Sequence, residues 1–268
     1  MLDNNPLIYT MERLAHDLKR PFPKKLPEVE PFAKTSPCCG VKEIDEATGG
    51  FRPGYVYAFP FESECLPSPF LKQFVKSGIA AHCFLLDTPL SFAARSLLCE
   101  FSQMELGDVL FRRRMTDEKW DSVCRAYSLL FKSRITLHRC KLLSPDMLRE
   151  IISLCGAGDL IFIDYMDKMQ SDTPEFAERK REELSDIAFE LHNIAQEFKV
   201  PAVFGMELYR PRPVRKSGAP LRLVDFQRNV EDGFCDVVCT VENRGNVRKL
   251  ELVKNRFGAC VTAESVES

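Results

Sequence analysis

From Gly40 onward the chain alternates short apolar runs with longer stretches of helical periodicity, and that alternation is the sign of a parallel sheet covered by helices. Tyr55 to Phe59, Cys83 to Leu86, Ile135 to His138, Leu160 to Ile163 and Ala202 to Phe204 are predicted as buried strands. The clearest helix is expected from about Pro174 to Phe198, where Leu184, Ile187, Ala188, Leu191, Ile194, Ala195 and Phe198 follow i, i+3, i+4, i+7 spacing and the charges ERKREE crowd the first turns. The last third changes character. DVVCTVEN, KLELVKN and ACVTAE are short β segments divided by turn residues, which predicts one strand added to the sheet and then an antiparallel hairpin.

A chain of 268 residues with 45% hydrophobic content can bury the core that such a domain needs, with a short appendage to spare. The appendage is expected over residues 1–36 and the main domain over 37–268. Pro6 to Arg20 has Leu7, Met11, Leu14, Ala15 and Leu18 on one helical face, and the following PFPKKLPEVEPFAK carries too many prolines for regular structure, so it is an extended connector. That helix either folds back on its own domain or docks on a neighbouring subunit. The formal net charge of -2 excludes a uniformly basic nucleic-acid binder but leaves room for a local basic patch. There is no apolar run of roughly 18 residues, and the start MLDNNPLIYTMERL lacks the basic and apolar regions of a signal peptide, so a cytoplasmic protein with no membrane partner is expected. Eleven cysteines without a CxxC pair suggest buried free thiols, and adjacent Cys38 and Cys39 lack the neighbours that a zinc site requires.

Several constellations could carry chemistry. Between the first strand and the next helix, where a phosphate-binding loop GxxxxGK[ST] would stand, the chain has FESECLPS, with neither glycine nor lysine. Leu160-Ile161-Phe162-Ile163-Asp164 ends an apolar strand in an acid, suited either to magnesium beside a nucleotide or to simple strand capping. Asp87 ends the strand CFLL likewise, and two acids at neighbouring strand ends could hold magnesium and polarise a water. YRPRPVRKSGAPLR places Arg210, Arg212, Arg215, Lys216 and Arg222 after a strand, as a phosphate-backbone contact or a solvated loop. Arg112-Arg113-Arg114 is a second basic cluster, just before an apparent helix cap at Thr116-Asp117-Glu118. Lys254 and Arg256 stand in the terminal β turn, as an exposed basic turn or as cations reaching an anionic ligand across a subunit interface.

In order, GVKEIDEATGGFRPG, MTDEKW, LIFIDYMDKM, VPAVFGMELYR and LVKNRFG resemble the runs GFxxLDxxTGGLxPG, LTDEDW, LIVIDYLQLM, VPVIALSQLNR and AKNRNG of the carboxyl-terminal RecA-like motor domain of DnaB-type replicative helicases. The resemblance covers about Gly40 to Thr262 and implies a RecA-like α/β fold of the P-loop NTPase class, with a mostly parallel sheet and a terminal antiparallel hairpin. It further implies that Asp164 is the acid that holds magnesium, that Asp87 stands in for the catalytic glutamate one methylene shorter, and that Glu207 replaces the glutamine that senses the nucleotide. Lys254 and Arg256 match the finger pair that acts in trans, and Arg210, Arg212, Arg215 and Lys216 fall where the family lines its DNA channel.

The chain departs from the family at the nucleotide. Aligned without gaps from Gly54, Phe61 and Leu66 occupy the two glycine places, Pro67 the lysine and Ser68 the hydroxyl ligand. Side chains at the glycine places obstruct close backbone approach, and Glu62 and Glu64 add negative charge where triphosphate would lie. The family's amino-terminal helical domain is absent from the sequence. The expectation is therefore a DnaB-like protein with impaired ATPase activity and no required cofactor. Such a protein would be an accessory factor in replication or repair, partnering an active helicase or another replication protein and binding single-stranded DNA, in an oligomer or as a single subunit. The alternatives are an active helicase that uses ATP and magnesium through an atypical loop, and a DNA-binding scaffold.

Overall fold

The computed structural model describes every residue except 1–5, 18, 22–24, 62–67, 106, 108–114, 174, 176–178, 210–218, 245–246 and 267–268. Eight strands, β1 (Val56–Phe61), β2 (Ala81–Leu85), β3 (Ile135–Arg139), β4 (Leu160–Ile163), β5 (Ala202–Glu207), β6 (Val237–Arg244), β7 (Val247–Asn255) and β8 (Thr262–Val266), form one sheet. Their order is β3-β2-β4-β5-β1-β6-β7-β8. The first six are mutually parallel, whereas β7 runs antiparallel to β6 and β8 to β7. The expected added strand and hairpin are thus both continuations of the same sheet.

Two apolar layers sandwich it. Tyr57, Phe59 and Phe61 point to the face covered by α3 (Ser68–Lys76), α4 (Leu90–Ser102) and α5 (Asp117–Phe131), while Val56 and Ala58 point to the face covered by α6 (Pro145–Cys155) and α7 (Lys180–Phe198). Residues on both sides of a strand are apolar because both sides are covered, which is why these strands lack the alternation of a half-exposed sheet. Strand β3 departs from the expectation of burial: it closes one edge of the sheet and its residues are half-buried or exposed. The long helix also starts later than Pro174. Arg179 is non-helical at φ -124°, ψ 82°, and Glu182 and Glu183 occupy the first turn, where the helix dipole favours acids. Thr116 caps α5 as expected, its hydroxyl accepting from the amide of Lys119 at 3.2 Å.

The run GVKEIDEATGG forms a turn, a short helix α2 (Lys42–Thr48) and a second turn. Asp45 organises it, accepting from the amides of Cys39 at 2.8 Å and Gly40 at 2.9 Å. Gly49 ends the helix at φ 72°, and a Cβ on Gly50 would lie 2.6 Å from the carbonyl of Pro37. The leading helix α1 (Pro6–Asp17) ends three residues before the predicted Arg20. It packs on α4 and α5 of its own chain through buried Met11, Leu14 and Ala15. Arg20, beyond its end, donates to the carbonyl of Met115 at 2.9 Å and pairs with Asp117. The connector then runs along α5 and past the end of α3, held by Ser128 on the carbonyl of Pro27 at 2.6 Å and by the amide of Thr35 on the carbonyl of Ser77 at 2.8 Å.

Burial of the thiols is less uniform than expected. Cys39, Cys83, Cys99, Cys124, Cys235 and Cys239 are buried, but Cys155 and Cys260 are exposed, and Cys65 lies outside the described residues. No helix among the described residues is long and apolar enough to cross a membrane.

Candidate nucleotide-binding site

The carboxyl ends of β1, β4 and β5 lie side by side, with β2 next to β4, so Phe61, Asp164, Asp87 and Glu207 come together at one end of the sheet. Phe61 is still a strand residue there, in register with Glu207 and Val241, and its carbonyl accepts from the amide of Leu208 at 2.7 Å. Its side chain is 3% exposed and meets the ring of Tyr165 edge-on, with centroids 5.2 Å apart. Gly205 makes room for this packing: a Cβ there would lie 2.3 Å from the carbonyl oxygen of Asp164 and 3.2 Å from the Phe61 ring. Neither Tyr165 nor Gly205 stood out in the sequence, because a tyrosine after an acid and a glycine inside an apolar run carry no chemical signature.

Beneath this end the helix α3 is joined to the sheet by aromatic contacts. Phe70 lies 4.8 Å from Phe59 and 5.4 Å from Phe162, and Phe74 lies 5.6 Å from Phe162, centroid to centroid. Such rings each bury a large apolar area, worth about 1.5–3 kcal/mol per side chain.

Asp164 is 3% exposed, and both of its carboxylate oxygens are spent on backbone amides. Oδ1 accepts from Leu86 at 2.7 Å and Tyr165 at 2.8 Å; Oδ2 accepts from Thr88 at 3.0 Å and Asp87 at 3.3 Å. A carboxylate offers about four lone-pair positions, so this set fills it. Burial pushes its carboxyl above the ordinary value, and the amides of Leu86, Thr88 and Asp87, together with the Thr88 hydroxyl, pull the other way without overcoming it. Asp87 touches Asp164 through its amide, while its side chain is exposed. Glu207 is exposed as well, and its amide donates to Asp167 Oδ1 at 3.0 Å.

These residues do not fit a magnesium nucleotide. Amides take the lone-pair positions of Asp164, and the Phe61 ring fills the end of β1 beside it. Of the remaining loop, residues 62–67 lie outside the described residues, and Ser68 is the first residue of α3. Arg210, Arg212, Arg215, Lys216 and the cluster Arg112 to Arg114 also lie outside them.

Lys254 and Arg256 are not part of this constellation. Arg256 pairs with the buried Asp236, whose Oδ2 accepts from the amide of Val56, the first residue of β1, at 2.9 Å. A six-residue strand spans about 17 Å, so the cation stands at the opposite end of β1 from Phe61. Lys254 Nζ donates to Asp232 Oδ2 at 3.1 Å. Burial alone would raise the Asp232 carboxyl, but hydrogen bonds from Lys254 and Gln227 hold it below its ordinary value. Between the two cations, Asn255 Nδ2 donates to the carbonyl of Ala47 at 3.1 Å, and the Arg52 guanidinium lies 4.4 Å from the ring of Phe257. The runs TGGFRPG and KNRFG therefore pack on one another.

A family profile described as the DnaB-like helicase C-terminal domain matches residues 38–231. Among solved structures, one of a DnaB-like replicative helicase, described with its interactions with primase, superposes with a TM-score of 0.77 at 16% identity, over 86% of this chain and 59% of that one. The ATPase domain of the protein G40P superposes with a TM-score of 0.76 at 16% identity, over 86% of this chain and 87% of that one. No curated protein matches by sequence. The mostly parallel sheet with antiparallel end strands is thus a RecA-like fold.

Proposed function

The chain belongs to the family of DnaB-like helicase C-terminal domains, and on that premise we propose that it is an ATPase-impaired member acting as an accessory factor in DNA replication or repair. One observation carries the reading: Phe61, at the first glycine place of the phosphate loop, is a buried strand residue packed on Tyr165, beside an Asp164 whose carboxylate is filled by four amides. Phosphoryl transfer depends on positioning and on stabilising charge with backbone amides, lysine and metal. Here the amides nearest the acid are already occupied by it, and Pro67 stands at the lysine place.

In this proposal the surviving cations act on another subunit. Lys254 and Arg256 lie too far along β1 to serve their own strand-end site, but Arg256 is 61% exposed on its side chain and could exchange Asp236 for a phosphate presented by an active helicase. Residues 210–216 would supply contacts to single-stranded DNA, and residues 1–36 would be an appendage docked on the domain rather than a recruiting module. Because the chain spans 59% of the DnaB-like replicative helicase described with primase, a primase contact is not carried over to it.

Calorimetric titration of the protein with ATP and magnesium, with and without single-stranded DNA, tests the reading. No binding heat is expected in either case. Micromolar ATP binding in either titration would overturn the reading. For the action in trans, Lys254→Ala with Arg256→Ala is expected to lower the ATPase turnover of a co-purifying helicase, and unchanged turnover removes that part of the proposal.

A further inference from the structure

At the opposite end of the sheet from Asp164, the connector and the ends of α3 and α5 border an open-mouthed cavity of about 200 Å³. Its wall depends on Gly78, at φ 59°: a Cβ there would lie 2.4 Å from the carbonyl oxygen of Phe32, so the connector can cross only over a glycine. Phe32, Val75 and Leu129 supply apolar lining, and Lys34, Lys132 and Arg134 surround it with positive charge. Lys34 Nζ lies 2.6 Å from Asp159 Oδ1, and Arg134 lies 4.0 Å from the other oxygen, so one carboxylate answers two of the cations. Lys132 spends one hydrogen on the carbonyl of Val29 at 2.9 Å.

We propose that this cavity is a docking site for a peptide segment of another protein that presents one large apolar side chain flanked by carboxylates. Size, apolar lining and rim charge select that ligand. Cofactor and drug-sized sites occupy about 300–1,000 Å³, whereas a cavity of about 150 Å³ already holds a benzene ring, so this one takes a single side chain. Three cations set around an apolar floor complement acids on either side of that side chain. A nucleic-acid strand fits less well. Stacking needs flat, accessible rings along a groove that follows the backbone, and Phe32, the ring on this rim, is tilted against Phe101 with centroids 6.1 Å apart.

The test uses the full chain and a fluorescein-labelled peptide with one phenylalanine between two pairs of aspartates, followed by fluorescence anisotropy at low salt. Saturable binding is expected, weakened at least tenfold when alanine replaces the phenylalanine or lysines replace the aspartates. The double variant Lys132→Glu, Arg134→Glu is expected to lose at least tenfold in affinity with an unchanged melting temperature. Equal binding of the lysine peptide, no effect of the double variant, or displacement of the peptide by oligothymidylate would overturn the proposal. Should the variant fail to fold, a benzoylphenylalanine peptide crosslinked to the unmodified protein decides: adducts within 31–34, 75–78 and 129–134 support the site, and adducts elsewhere refute it. None of these readouts involves ATP, so their outcome is independent of the nucleotide reading.

Discussion

The two ends of the sheet are built on opposite plans. At the carboxyl ends of β1 and β4 the side chains are built into the fold: Phe61 is packed on Tyr165, and Asp164 accepts four amides. At the amino ends, Lys34, Arg134 and Arg256 keep 54%, 57% and 61% of their side chains in solvent, tied down by single carboxylates. A strand end that has become core costs stability when altered. A rim of exposed cations costs little, and its residues are available to an external anion.

The contrast is broken most directly at Asp164. Asp164→Ala leaves four amides, two of them buried, without this acceptor and is expected to cost about 4 kcal/mol, measured by chemical denaturation. Phe61→Ala should cost about 3 kcal/mol, the penalty of a large ring removed from a close-packed site, and should not restore ATP binding. If either variant left stability unchanged and gained nucleotide affinity, the carboxyl end would be a vacant site rather than core.

Gly78→Ala is expected to cost about 2 kcal/mol, since the new Cβ meets the connector and the backbone stays at positive φ. A loss that size, accompanied by easier proteolysis within residues 26–35, would show that the cavity wall depends on this crossing.

A pH effect belongs to the edge strand. His82 Nδ1 and His138 Nε2 are 2.9 Å apart, and His138 also stacks on Phe84. Burial, and secondarily the neighbouring His82, push His138 down to about 4, and burial pushes His82 down as well. The unfolded chain, with histidines near 6.5, therefore binds more protons than the folded one between that pH and about 4. The contribution is fully present above pH 6.5 and is lost as the pH falls towards 4. His138→Phe should flatten the dependence of the denaturation midpoint across that window; an unchanged slope would assign it to other groups.

How much of this was legible in the sequence varies with the physics involved. The parallel strands, the terminal antiparallel pair and the cap at Thr116 follow from apolar runs, turn residues and hydroxyl chemistry, all of which are local. The departure of FESECLPS from the pattern GxxxxGK[ST] is equally local, because glycine and lysine are required by type. Three things were not legible. The saturation of Asp164 depends on amides of residues 86–88, brought beside it only by the pairing of β2 with β4. The edge position of β3 depends on strand order, since β2 pairs with β3 on one side and β4 on the other while β3 pairs with β2 alone among the described strands. The distance of Lys254 and Arg256 from Asp164 depends on the antiparallel return of β7, which delivers them to the start of β1. In the same way, Asn255 and Arg52 tie the two ends of the family-like pattern together, a structural reason for those residues that stands apart from catalysis.

The smallest expected effect sharpens the comparison most. Lys34→Ala removes a 2.6 Å ion pair, yet the lysine is half exposed and Asp159 keeps the amide of Ala80 at 2.9 Å. Screened, flexible pairs of this kind contribute less than about 1 kcal/mol, so the denaturation midpoint should barely move. The same substitution removes one of three cations around the cavity and should weaken the acidic peptide severalfold. A stability loss as large as that of Asp164→Ala would mean that the amino-end cations are also structural, and the two ends of the sheet would no longer be different in kind.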